Sequence, residues 1–360
     1  MLKEQMNRIV RPLSYLVIFG KDKSMEHFNR SISAILVTSA IFIALSDCSP
    51  NMSQAGIKTK NPINISKTEQ GFSITEGKEK VLFYQRRHKS MDGKYTRANY
   101  IHPLYGLDGE ILTEDFPADH PHHRGVFWAW HQVWLDDKKL GDNWAAQDFF
   151  WDVYDAEILT IDSKSRALKL HVYWKSPDLT DTDGKQQPFV KETTTIRIHH
   201  TEGDIRKIDF KIELLALKDN MRLGGSEDAK GYGGFTTRIP LPDGLEFTGT
   251  NGPVEPTNLS VEAGPWLDFS GNLGGQGKKS GLAILCHSSS PGYPQRWILR
   301  RKGSAQNPVY PGRHPVSLSR EKPLILRYRL IIHRGDVNDV DLDRLQTEYN
   351  NSSDPVFDGK

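Results

Sequence analysis

Three successive stretches of this 360-residue chain alternate apolar and polar residues with a period of two, and they set its fold class. From Ala167 to Trp174, Leu168, Leu170, Val172 and Trp174 oppose Lys169, His171 and Tyr173. From Phe189 to His200, Thr194, Ile196 and Ile198 oppose Thr193, Thr195, Arg197 and His199. Ile205 to Leu217 follows across the turn Thr201-Glu202-Gly203-Asp204. A period of two sends neighbouring side chains to opposite faces, so each stretch reads as a strand, and short turns join such strands antiparallel.

Further strands are expected where β-branched and aromatic runs are bounded by Gly, Pro, Asn and Asp. Phe72 to Arg87 reads as a hairpin turning at Glu76-Gly77-Lys78-Glu79. Later candidates are Phe235–Ile239, Leu245–Thr248, Gly281–Cys286, Arg296–Arg301 and Leu324–His333. Helical periodicity is confined to Val340–Tyr349, with Val340, Leu342 and Leu345 on one face and Asp341 as a cap. No strand–helix alternation calls for a parallel sheet. The expectation is an all-β fold, a single large antiparallel β-sandwich over residues 64–349 with one short C-terminal helix. Its size favours a supersandwich-like architecture, resembling the galactose-mutarotase type.

The 47 basic and 45 acidic residues are mixed along the chain and leave a net charge of +2. That gives no basic stripe for nucleic acid and no strong pull towards anionic membranes. Two cysteines, Cys48 and Cys286, exclude a disulfide framework and a cysteine-rich zinc site. Ile32 to Leu45 is an apolar run of signal-peptide length behind Arg30. Its ending, Leu45-Ser46-Asp47-Cys48, resembles a lipoprotein cleavage box, although Asp47 replaces the small residue such boxes carry. Residues 1–48 are therefore expected to be a targeting segment, 49–63 a tether and 350–360 a tail. The mature chain is expected in the periplasm or as an outer-membrane lipoprotein, with a lipid on Cys48 as its one membrane contact.

Chemistry concentrates between Asp115 and Trp134, which hold four of the thirteen histidines, His120, His122, His123 and His131, and three tryptophans, Trp128, Trp130 and Trp134. Imidazoles carry protons, ligate metals or stabilise charge, and indole faces bind sugar rings or fill a core. If the run stays extended, His120 and His122 share a face and His123 points the other way. Beyond Gly125, Phe127, Ala129 and His131 then share one face, and Trp128, Trp130 and Gln132 the other. His120, His122 and His123 are the candidate catalytic residues, and His120 with His122 can hold a divalent metal. The cofactor is otherwise unknown. Arg124, Trp128, Trp130, His131 and the upstream His102 are candidate substrate contacts.

The glycine-rich stretch Gly224–Arg238 adds Glu227 as a catalytic carboxylate and Lys230, Tyr232 and Arg238 as contacts. Each of these also has a plain reading as a solvated loop. Asp268, beside Trp266, is a further candidate carboxylate, and Arg296 suits an acidic sugar as well as it suits the surface.

Several of these segments are similar to the PmoA family: Tyr100-Ile101-His102-Pro103-Leu104, Asp115 to Gly125 with its His-Pro-His-His-Arg-Gly core, and Gly231-Tyr232-Gly233-Gly234-Phe235 with Arg238. Ser280-Gly281-Leu282-Ala283-Ile284 and Leu326-Arg327-Tyr328-Arg329-Leu330 with His333 extend the likeness over roughly Tyr84 to His333. The resemblance implies an exported β-sandwich of polysaccharide-degrading bacteria, and the family label implies an oxygenase. The leading expectation is a carbohydrate-active enzyme, a glycoside hydrolase or lyase, that cleaves a glycosidic bond of an oligo- or polysaccharide. The alternatives are a non-catalytic surface glycan-binding protein and a metal-dependent oxygenase, for which histidine suits copper or iron.

Overall fold

The computed structural model describes residues 61–275 and 277–352. The signal-like run, Cys48 and residues 49–60 of the tether lie outside them, as do residues 353–360 of the tail. Among the described residues no helix is long and apolar enough to cross a membrane. Ile63 already begins the first strand, Ile63–Lys67, and the terminal helix, Leu342–Asn351, runs past the residue at which the tail was expected to start.

Two antiparallel sheets carry the architecture. The larger has nine strands in the order Phe150–Asp162, Ser165–Lys175, Val190–His199, Ile205–Ala216, Leu324–Arg334, Ser280–Cys286, Trp266–Gly271, Glu246–Gly249 and Gly252–Pro253. The smaller has six, in the order Ile63–Lys67, Gly71–Glu76, Glu79–Gln85, Tyr100–Leu104, Val126–Ala129 and Gly234–Thr237. A four-stranded sheet, Val316–Ser317, Met221–Gly224, Gln132–Leu135 and Lys138–Lys139, picks up the chain just after Val126–Ala129.

The two large sheets bury their facing sides against each other. Leu168, Leu170, Val172 and Trp174 are fully buried, as their alternation requires. Across the interface Trp128 meets Phe210 edge-on at 6.4 Å between ring centroids, and Phe235 packs on Phe210 at 5.0 Å and Tyr328 at 4.5 Å. Glu192 lies in this core and joins the sheets. It accepts hydrogen bonds from Trp128 Nε1, Trp174 Nε1 and Asn99 Nδ2, each at 2.8 Å, and from Thr194 Oγ1 at 2.7 Å. Four donors satisfy a carboxylate that burial pushes towards its neutral form.

Trp128 and Trp130 are therefore core residues and not substrate contacts. Both are almost wholly buried, and Trp130 Nε1 donates to the Tyr310 carbonyl at 2.8 Å. The helix Leu342–Asn351 covers the outer face of the larger sheet, setting Leu342, Leu345 and Tyr349 against Trp266, Ala283, Leu285 and Ile331. Asp341 caps it as expected, accepting from Arg344 N at 3.0 Å.

Two strand assignments differ from the sequence reading. Arg296–Arg301 is a strand only at Trp297–Ile298, paired with Asn307–Pro308, and its basic end forms a loop. The edge strand Phe150–Asp162 went unread because a bulge between Val153 and Asp155 breaks its alternation, and most of it overhangs solvent.

Candidate functional site

The stretch from Asp115 to Arg124 does not stay extended. Its two ends pair across an isolated bridge, and His123 N donates to His120 O at 2.9 Å, closing a turn with Pro121 at its second position. The turn gathers three imidazoles that an extended chain would have parted. His120 stacks on His123 at 4.8 Å with planes 4° apart, and His122 meets the two edge-on at 5.6 and 4.5 Å. His123 thus joins the cluster instead of pointing away. Gly125 then admits the chain to the next strand with φ +53°, where a Cβ would lie 1.9 Å from the Ile101 carbonyl oxygen.

Past Gly125 the expected alternation holds. Phe127 and Ala129 pack with Trp144 on the side opposite the main core. His131 follows and stacks on Trp144 at 5.6 Å, while Trp144 meets His123 edge-on at 5.6 Å. Tyr232 closes the series, at 5.0 Å from His131 and 4.9 Å from Trp144. His120, His123, Trp144, His131 and Tyr232 form one continuous run of ring contacts.

These rings line a cavity of about 310 Å³, together with His122, Lys230 from the glycine-rich loop, and Arg300, Gly303 and Ser304 from the basic loop. Ser304 has φ +145°, a conformation that non-glycine residues rarely adopt and that clusters at functional sites. Among the described residues no carboxylate lines the cavity; Asp119 and Asp142 stand behind two of its imidazoles. Asp119 Oδ2 sits 2.7 Å from His120 Nδ1, and Arg238 grips the same carboxylate through Nη1 and Nη2 at 2.9 and 2.7 Å. Asp142 Oδ2 sits 2.7 Å from His131 Nδ1. A carboxylate on Nδ1 fixes the proton there and leaves Nε2 as the basic nitrogen.

Burial opposes ionisation of Asp119, but the hydrogen bonds from Arg238 and His120 hold its carboxyl down at about 2. Burial, with Arg97 behind it, lowers His122 to about 4. Burial and the two neighbouring imidazoles lower His123 to about 2. Both rings are neutral near pH 7. Burial raises the Tyr232 phenol, which keeps its proton. His123 Nδ1 and His131 Nε2 are buried without a hydrogen-bond partner, the condition in which a ligand hydroxyl is most useful to them. Arg97, fully buried between Phe127 and Trp151, donates to the carbonyls of Asn143 and Trp144 and so holds the Trp144 wall.

His120 and His122 belong to no group of three potential ligands with converging donor atoms among the described residues. Among the described residues, the one group of three potential ligands whose donor atoms all lie within 4.8 Å of one another is Asp155, Glu157 and His171, on the larger sheet.

Other sequence candidates have structural posts. Arg124 is wholly buried, bonded to Asp115, Tyr100 and the carbonyls of Lys89 and Tyr95, with Phe116 stacked on it at 3.6 Å. His102 Nδ1 pairs with Thr113 Oγ1 at 3.0 Å and lies outside the cavity wall. Asp268 is buried in the larger sheet against His333 Nε2 at 2.8 Å. Glu227 is exposed beside the cavity's loop but does not line it. Arg296 is a surface residue paired with Glu262. Arg238 acts through Asp119 and does not reach the cavity itself.

Trp144, Asp142, Arg300 and Ser304 were not foreseen. The signals were present in Asp142-Asn143-Trp144, a carboxylate two residues before an aromatic shortly after the histidine cluster, and in Arg300-Arg301-Lys302-Gly303-Ser304.

The chain belongs to the family of unknown function DUF6807, whose model matches residues 72–347. No curated protein matches the sequence. Among solved structures, the crystal structure of a candidate mutarotase (YeaD) from Salmonella typhimurium is similar, with a TM-score of 0.30 and 9% identity over 76% of this chain and 94% of that one.

Proposed function

We propose that the cavity binds a uronic acid unit of a saccharide and that His120 acts there as a general base, making the chain a lyase-type carbohydrate-active enzyme. One observation carries this reading: carboxylate-backed imidazoles and cationic side chains share a cavity that no carboxylate among the described residues lines. Hydrolysis by paired carboxylates wants both of them flanking the glycosidic bond. Here Glu227 and Asp268 do not line the cavity, and Asp119 and Asp142 are engaged behind histidines.

Proton abstraction next to a carboxylate suits the groups present. His120 Nε2 takes the proton from the carbon bearing the substrate carboxylate, and Arg300 and Lys230 stabilise the negative charge that collects on that carboxylate. The β C–O bond then breaks, a C=C bond forms, and the departing oxygen takes the proton of Tyr232. The phenolate recovers its proton from the His120 imidazolium. Trp144, among the imidazoles, supplies the apolar wall against which a sugar ring packs. The signal-like run Ile32–Leu45 fits a protein that meets polysaccharide outside the cytoplasm.

The test is incubation with uronate oligosaccharides while following the ultraviolet absorbance of an unsaturated product. Its appearance supports elimination. Saccharide binding with no product of any kind supports instead the non-catalytic glycan-binding alternative.

A further inference from the structure

The basic loop serves more than one depression. Arg300 lines the imidazole cavity and also an open groove of about 540 Å³ whose other side is the segment Glu255 to Asn258. Among the described residues its guanidinium donates to backbone carbonyls only, Nη1 to Thr257 O at 2.8 Å and Leu299 O at 2.7 Å and Nη2 to Asn258 O at 3.2 Å. These contacts fix its position without neutralising its charge. Glu255, the one acidic wall of the groove, is taken up by Arg301 at 2.8 Å. Lys302 is exposed on the same groove and has no ion pair among the described residues. The groove is left with two cations that make no ion pair among the described residues, one of them shared with the cavity. The loop also ties the two places together, because Gly303 packs so close to Asp119 that a Cβ would lie 2.8 Å from Oδ2.

We propose that a second anionic sugar unit binds in this groove, across Arg300 from the first, so that the ligand is a polyanionic oligosaccharide of at least two units. This rests on the acid-sugar reading of the cavity. The first unit sits among the imidazoles, Arg300 lies at the junction, and Lys302 meets the carboxylate or sulfate of the second unit. The linkage between the units runs past Ser304 and Gly303.

The experiment is calorimetric titration of the full chain carrying His120→Ala, which blocks turnover, with galacturonate, its dimer and a sulfated neutral disaccharide. The uronate dimer is expected to bind about fivefold more tightly than the monomer, near the upper end for one exposed ion pair. Lys302→Glu should remove that gain and leave monomer affinity unchanged. The gain should also shrink as salt is added. The same Lys302-dependent gain with the sulfated disaccharide supports the proposal for sulfate, and a gain confined to the uronate supports it for carboxylate. Equal affinity for monomer and dimer, or a dimer gain untouched by Lys302→Glu, overturns the second subsite while the cavity reading stands. No binding of either uronate, by this variant or by the wild-type chain, overturns both.

Discussion

Asp119 is shared between two residues from distant parts of the chain: its Oδ2 lies 2.7 Å from His120 Nδ1 and 2.9 Å from Arg238 Nη1. Arg238, itself buried, also bonds Glu114 at 2.7 Å, so the guanidinium is fixed before it grips Asp119. The arrangement orients the imidazole, with Nδ1 engaged by Asp119 and Nε2 left free for a ligand. Asp119→Asn should therefore lower turnover by about a hundredfold, the lower end for a general base. Its melting temperature should stay within a few degrees, since Asp119 is partly exposed and the buried Arg238 keeps Glu114 as its partner. Kinetics and thermal melts of the same preparation check this. A large drop in melting temperature with turnover intact would assign Asp119 to structure alone.

The neutral imidazoles make stability depend on pH. His122 and His123 have folded-state values of about 4 and about 2, below the usual histidine value, so between those values and about 6.5 the unfolded chain binds more protons. Their stabilising contribution is complete above about pH 6.5 and is lost as pH falls through that window, by at most about 1.4 kcal/mol per pH unit for each ring. Urea unfolding from about pH 7 down to about pH 4 should show the slope, and His123→Asn should flatten it. An unchanged slope in that variant would place the acid sensitivity elsewhere.

Trp144 is the ring on which His131 and His123 both rest. Trp144→Ala should cost about 3 kcal/mol of stability and raise KM more than it lowers kcat. Trp144→Phe should restore most of the stability and part of the affinity. Equal KM values for all three proteins would remove the indole from the ligand wall.

The core carboxylate offers a test without a ligand. Glu192→Gln places an amide NH₂ against at least one of the donors Trp128 Nε1 and Trp174 Nε1, and should cost about 1–3 kcal/mol through the lost acceptor. Activity per folded molecule should not change. A selective loss of activity would return Trp128 to the site.

The fold was legible because long strands such as Ser165–Lys175 and Val190–His199 bury one face and leave the other mostly half-buried. The site was legible as a stretch of sequence but not as a geometry. Val126–Ala129 is buried on both faces, so its pattern does not say that Trp128 enters the core while Phe127 backs the cavity. The turn at Pro121 overrode the alternation expected for the histidines. Asp119 and Arg238 are 119 residues apart, and no local pattern announces their pairing.

In the proposed reaction an imidazole of this cavity removes a proton from the carbon beside a sugar carboxylate. The most direct measurement is product analysis by mass spectrometry after incubating uronate oligosaccharides in heavy water with the wild-type chain, His120→Ala and His131→Ala. The expected result is unsaturated product, or deuterium at that carbon, from the wild type, reduced about a hundredfold or more in His120→Ala. Saturated hydrolysis products without deuterium at that carbon, or undiminished exchange in His120→Ala, would contradict it.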